Sequence, residues 1–239
     1  MPIAAMRMRN GLSTPPSDTD PFYANVSLLL HADGVTNTAV FTDNSPRVKV
    51  PAYVGTTLLS DQQKKYGPTS LRIFNGGDRL QYAEHEDFGT GDGAFTVEAW
   101  VRLNEVTNYI NNVFDTRSPS RTGVGLWVGG GRFGLPPNLI GFSSNSAVLA
   151  YGGTIPTDGS FVHVRWTRDT DRWTRGYING VLAFEHLDNR VLASLASLVI
   201  GADAFGTADQ VAFGYIDEVR FTKGVDRGGG LPSSPFPNS

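Results

Sequence analysis

Four tryptophans and eight tyrosines are the side chains of this sequence best suited to surface chemistry. A flat ring offers apolar area with a polar edge, which is what a wet sugar-binding site requires. Trp100 falls on the otherwise polar face of its segment, where it could line a sheet surface. Trp166 shares a face with Val162 and Val164 and reads as core, whereas Trp127 and Trp173 stand near loops. Residues 104–160 mix Asn, Ser, Gly and Pro clusters with short apolar runs, VGLWVG (124–129) and LIGFSS (139–144) among them. Loops carried on a rigid scaffold are where recognition concentrates. Tyr109, Arg121, Trp127 and Arg132 are therefore expected to form an exposed ligand-binding patch.

Other reactive patterns are weaker. GGGRFG at 129–134 has the spelling of a nucleotide-binding loop, but Pro136 and Pro137 break the next turn and remove the helix N-terminus that would hold a pyrophosphate. It reads as a hairpin loop. His31, His85, His163 and His186 lack metal-ligand spacing. Asp217 and Glu218 are adjacent, so on a strand they point to opposite faces. No catalytic residue is expected. The absence of cysteine excludes disulfides and thiolate metal sites, and fits folding in a reducing cytosol. A formal charge of −3 gives no field that attracts nucleic acid. No segment reaches the roughly 18 apolar residues of a membrane span, and MPIAAMRMRNG does not read as a signal peptide.

These residues must be positioned by strands. In FTVEAWVRL (95–103), Phe95, Val97, Ala99, Val101 and Leu103 alternate with Thr96, Glu98, Trp100 and Arg102, the period-two pattern of a half-buried antiparallel strand. GYIDEVRFTKGV (214–225) carries Tyr215, Val219 and Phe221 in a similar setting, and Val26, Leu28 and Leu30 alternate ahead of an Ala-Asp-Gly turn. Residues 66–83 suggest two strands around Asn75-Gly76-Gly77-Asp78. Asn179-Gly180 between two apolar-bearing runs predicts a type I′ hairpin inside a meander of strands near 162–168, 173–178 and 181–186. Helix evidence is thin: VLASLASLV (191–199) admits a short helix or a loop leading into a strand. Twenty-eight glycines and fourteen prolines suit many tight turns, and sandwiches of this length fold as one domain. Residues 1–19, with Pro2, Pro15, Pro16 and a polar run, read as an extended arm.

The ordered set DPFYANVSLLLHADG (20–34), FTDNS (41–45), KYGPTSLRIFNGGDRLQYA (65–83), FTVEAWVRL, FVHVRWTRD (161–169), GYINGVLA (176–183), LVIGAD (198–203) and GYIDEVRFTKGVDR resembles the laminin G-like, concanavalin A-like jelly-roll superfamily. It is most similar to the variant in tail, fibre and other virion proteins of tailed bacteriophages, with Asp20-Pro21-Phe22 and Pro235-Phe236-Pro237 matching that variant's opening and close. The resemblance implies an all-β jelly-roll sandwich of two antiparallel sheets over 20–239, behind the arm at 1–19. It also implies one structural calcium ion in some members, held where an early loop meets the last strand, at positions that match Asp33, Asp43 and Asp217. His163 matches a histidine that is structural in that family. The superfamily includes glycoside hydrolases, whose two carboxylates stand about 5–9.5 Å apart, but the E-x-D-x-x-E spelling of the laminarinase-like branch does not occur here.

The expectation is thus a non-enzymatic virion protein, made in the host cytoplasm and present in many copies. It would join other virion proteins through its arm and bind a host surface glycan, with neither nucleic-acid nor membrane partners. A capsid decoration protein and a glycoside hydrolase of the same fold are the alternatives.

Overall fold

A computed structural model describes residues 19–239, apart from 107, 146, 208 and 209. The arm expected over 1–19 lies outside the described residues except for Thr19. Following a 3₁₀ turn at Tyr23–Asn25, the strands run in chain order as β1 (Val26–Leu30), β2 (Ala52–Val54), β3 (Leu58–Ser60), β4 (Ser70–Ile73) and β5 (Arg79–His85). Then come β6 (Phe95–Leu103), β7 (Ile110–Asp115), β8 (Gly125–Gly129), β9 (Leu139–Ser143) and β10 (Val148–Gly152). The last five are β11 (Val162–Arg168), β12 (Trp173–Ile178), β13 (Val181–Leu187), β14 (Ala196–Ile200) and β15 (Gly214–Lys223). Residues 191–199 thus resolve as a loop leading into β14, and the expected all-β jelly roll stands.

The strands form two antiparallel sheets. The first has the order β13-β12-β11-β6-β15-β4-β3, with β1 also paired to β15, and the second β10-β9-β8-β7-β14-β5-β2. The segments at 95–103 and 214–223 are direct neighbours: Phe221 lies opposite Val97 and Ile216 opposite Val101. Their inward residues, Val97, Ala99, Val101, Ile216, Val219 and Phe221, join Phe114, Leu126, Val128, Ile140 and Phe142 of the second sheet in one core. The expected hairpin occurs at Asn179 and Gly180, both at positive φ (47° and 78°), as a type I′ turn demands. The two strands expected around Asn75–Asp78 also form, but β4 belongs to the first sheet and β5 to the second. That turn carries the chain between layers.

One expectation needs correcting. β6 is not half-buried, because Thr96, Glu98 and Trp100 on its outward face are as enclosed as its core face. The chain's own ends cover them. Glu98 Oε2 accepts from Arg165 Nε and Nη2 (2.8 and 2.6 Å) and lies 3.1 Å from His163 Nε2, while Oε1 accepts from Arg220 Nε and Nη2 (2.9 and 2.6 Å). Asp20 extends the array by accepting from Arg220 (3.0 Å) and from both terminal nitrogens of Arg227 (2.9 and 2.7 Å). The Phe236 ring lies 3.9 Å from the Arg220 guanidinium, and Arg165 Nη1 donates to the Gly228 carbonyl. Burial alone would raise the Glu98 carboxyl, but Arg220, His163 and Arg165 outweigh it and hold the group well below the usual range. His163 is accordingly structural, and burial pushes its imidazole toward the neutral form.

β15 carries a bulge where Asp217 faces Trp100 but Arg220 faces Glu98. Glu218 takes positive φ (50°) there. Its carboxylate reaches His31 Nδ1 (2.9 Å) and accepts from the Phe236 amide (2.9 Å), tying the C-terminal segment down.

Candidate functional site

The outer face of the second sheet is built differently. Residues opposite one another in register share a face, so Ile110, Asn112, Trp127, Leu139, Gly141, Ser143 and Tyr151 stand together on this side while Leu126, Val128, Ile140 and Phe142 point into the core. Trp127 lies flat across Gly141. A β-carbon at 141 would meet its ring at 2.3 Å, so only glycine fits beneath it. Ile110, Leu139, Leu135 and Val148 pack around the indole, and Trp127 Nε1 donates to Ser143 Oγ (2.9 Å).

Beside this apolar cluster opens a cleft of about 320 Å³, lined by Ile110, Asn112, Trp127, Phe133, Ser143 and Gln210 among others. Asn112 is 1% exposed, and its Nδ2 donates to Gln210 Oε1 (3.0 Å). Among the described residues its Oδ1 has no hydrogen-bond partner, and the atom is enclosed away from the open space. Arg117 also reaches the cleft, but its guanidinium is held by the buried Asp115 through Nε (3.0 Å to each oxygen) and Nη2 (2.6 Å), and Nη1 donates to the Ser144 carbonyl. The rim carries Phe133, 71% exposed and at positive φ (54°). Tyr151, 44% exposed, stands on the same sheet face.

The expected ligand patch is only partly supported by this geometry. Trp127 is 0% exposed, so it is the packed foundation of the site and not an exposed recognition residue. Tyr109 is half-buried with its ring edge-on to Phe213. Arg132 lies over the Phe133 ring at 5.4 Å. Arg121 sits in the β7–β8 connection, at the far end of these strands from Tyr109 and Arg132, and pairs with Glu84 (2.6 Å). At about 3.3 Å per residue, a strand the length of β7 keeps the two ends apart, so the four do not make one patch. Trp100 is buried as well, beneath the Lys65 ammonium (4.0 Å) and edge-on to Tyr66, and lines no open surface. Asn112, Ser143, Phe133 and Gln210 escaped the sequence reading. The alternation of INNVFD (110–115), which puts one asparagine on each sheet face, was the available signal for Asn112.

The expected calcium ligands do not converge. Asp43 accepts from the amides of Leu29, Ser45 and Lys49 (3.1, 2.9 and 2.8 Å) and from Ser45 Oγ, and so works as a turn-former. Asp217 accepts from the amides of Lys65, Tyr66 and Glu218 (2.7, 3.1 and 2.9 Å). Asp33 is exposed. Among the described residues no three acidic or histidine side chains are grouped to hold a metal ion. Burial, with Glu218 adding to it, pushes the Asp217 carboxyl up to about 7 against the pull of its amide donors. No helix among the described residues is long and apolar enough to cross a membrane.

The family model of the concanavalin A-like lectin/glucanases superfamily matches residues 74–225, more than half of the chain. The chain belongs to that superfamily. No curated protein sequence matches it. Among solved structures, domain 4 of AbnA, a GH43 extracellular arabinanase from Geobacillus stearothermophilus solved with arabinotriose, is similar at TM-score 0.61 and 21% identity, over 84% of this chain and 93% of that one. The binding domain of Paraclostridial Mosquitocidal Protein 1 aligns at TM-score 0.58 and 12% identity, over 86% of this chain and 50% of that one. The binding domain of Botulinum Neurotoxin DC, in complex with SialylT, aligns at TM-score 0.59 and 12% identity, over 85% and 49%. This chain spans about half the length of those toxin domains. Such identities establish a shared lectin-like fold.

Proposed function

We propose that this chain is a non-enzymatic lectin-like module that binds glycan in the cleft on the outer face of the second sheet. The observation that carries the reading is an open cleft lined by the polar side chains of Asn112, Ser143, Asn145 and Gln210, with the exposed aromatic ring of Phe133 on its rim. Binding without hydrolysis is favoured because the cleft's lining includes no carboxylate among the described residues, whereas glycosidases need two. The bound arabinotriose of the arabinanase domain and the SialylT complex of the neurotoxin domain add support by analogy of fold.

The setting we propose is the surface of a tailed-bacteriophage particle, on the strength of the Asp20-Pro21-Phe22 opening and Pro235-Phe236-Pro237 close. Residues 1–19 would anchor each copy to neighbouring virion proteins, and many copies would turn weak single sites into avid attachment. A glycan microarray probed with the purified chain tests the binding reading, which fails if no glycan is retained. Labelling of purified particles with an antibody against the chain tests the setting: decoration of tail or fibre supports host attachment, decoration of the head supports a decoration protein, and unlabelled particles overturn the virion assignment.

A further inference from the structure

The matched charges of the first sheet stop short of its other end. Glu98, Trp100 and Arg102 point outward in turn along β6, and Tyr215 on β15 lies opposite both Arg102 and Arg72, so Arg72, Tyr215 and Arg102 share the outer face. The Arg102 guanidinium stands 6.0 Å from the Tyr215 ring centre and that of Arg72 4.4 Å from the Phe74 ring centre, with Phe74 edge-on to Tyr215 at 5.2 Å. Tyr215 Oη donates to Gln62 Oε1 (2.9 Å), which ties the segment 62–65 to this face, and Lys65 Nζ lies 4.0 Å from the Trp100 ring centre. Lys64, Lys65, Arg72 and Arg102 are thereby gathered at one end of the sheet. Among the described residues none of the four makes an ion pair. Carboxylates of the adjoining segments are engaged elsewhere: Asp217 by the amides of Lys65, Tyr66 and Glu218, Asp61 by Thr36 Oγ1, Glu105 by the Asn108 amide and Asp158 by Ser160.

We infer that this end of the first sheet is a docking surface for the carboxylates of a neighbouring protein. The inference rests on the anchoring reading above: Asp20 is bound to Arg220, which pairs with Glu98 on the same outer face, so under that reading the face is turned toward the particle. Four unpaired cations stand together in a chain whose formal net charge is −3, which favours pairing at contact over long-range attraction of a polyanion. A guanidinium is a planar fork that matches a carboxylate with two parallel hydrogen bonds, and one already laid over a ring has little freedom left to lose on pairing. Arg102 Nε donates to the Gly159 carbonyl (2.6 Å), and its two terminal nitrogens remain to turn to a partner. Trp100 and Tyr215 are each 4% exposed, so neither offers a face on which a nucleic-acid base could stack. The cations, and not the rings beneath them, are what this surface presents.

Fluorescence anisotropy of a labelled deca-glutamate peptide titrated with the full chain tests this. The result expected is saturable binding that weakens as salt rises from about 0.05 to about 0.5 M. Arg72→Gln and Arg102→Gln should each weaken it about threefold to fivefold, the scale of one exposed ion pair, and the double variant about tenfold or more. Arg79→Gln, on the second sheet, should leave it unchanged. Should an arginine variant fail to fold, Lys64→Gln at its exposed position decides in its place. Absence of saturable binding, or undiminished binding by the double variant, would overturn the inference. So would tighter binding of heparin, of a single-stranded oligonucleotide or of vesicles of phosphatidylserine and phosphatidylcholine in equal parts, since each would assign the surface to a different anion. Particle labelling judges the anchoring reading separately: labelled particles without peptide binding leave it standing and retire this surface, whereas unlabelled particles remove both.

Discussion

The two outer faces of this sandwich are both largely dry, but for opposite reasons. On the first sheet, dryness comes from charge pairing under a cover: Glu98 and Asp20 are matched by Arg165, Arg220 and Arg227, and Phe236 closes over Arg220. On the second, it comes from apolar packing around Trp127, with a cleft left open beside it and the exposed Phe133 on its rim. A face whose charges are matched and covered by its own chain does structural work. A face that leaves a polar cleft with an exposed aromatic rim has room for something else.

The largest expected effect tests the first face. Glu98→Ala strands two arginines in a buried site, and breaking such an array costs about 3–5 kcal/mol. Urea unfolding of the variant measures it, and a loss under 1 kcal/mol would mean that the network is incidental. Next in size is a pH effect at the β15 bulge. The folded-state pKa of Asp217 is raised from 3.8 to about 7, so the native protein holds a proton there that the unfolded chain releases. Stability from this group is therefore full at low pH and lost as pH rises toward and through 7. Relative to Asp217→Asn, which cannot titrate, the wild type should lose about 3 kcal/mol between pH 5 and 8, at about 1.4 kcal/mol per pH unit below the folded pKa. The difference curve isolates Asp217 from His163, whose lowered pKa acts in the opposite direction. A flat difference curve would refute the buried-carboxyl account.

On the second face the expected changes are smaller. Trp127→Phe removes the bond to Ser143 Oγ and a little volume, at about 1–2 kcal/mol in chemical denaturation. A neutral result would mean that the indole is not the foundation of the cleft. Smallest of all, a chelator should leave the thermal midpoint unchanged, because Asp33, Asp43 and Asp217 are not grouped to hold a metal ion among the described residues and Asp43 and Asp217 already accept from backbone amides. A clear fall in the midpoint would restore the calcium expectation.

This contrast also explains what was legible in the chain. Period-two alternation located β6, and Asn179-Gly180 located the β12–β13 hairpin to the residue, because both signals are local. Alternation says only that Glu98 and Phe95 point to opposite sides. What covers Glu98 comes from Asp20, 78 residues earlier, and from Phe236, 138 residues later. Trp127 misled for the same reason: its neighbourhood of glycines reads as loop, but Leu139 and Val148 bury it from adjacent strands. The cleft needed three such coincidences, with Asn112, Ser143 and Gln210 arriving from separate segments.

The Asp20 amide donates to the Ser239 carbonyl, on the covered side of the sandwich. Topologically this makes the domain nearly a closed ring, of the kind that tolerates circular permutation or insertion into a loop of another polypeptide with little closure entropy to overcome. Asp20 and Ser239 both lie on the side of the first sheet, opposite the cleft. A tether joined on that side would hold the cleft face outward.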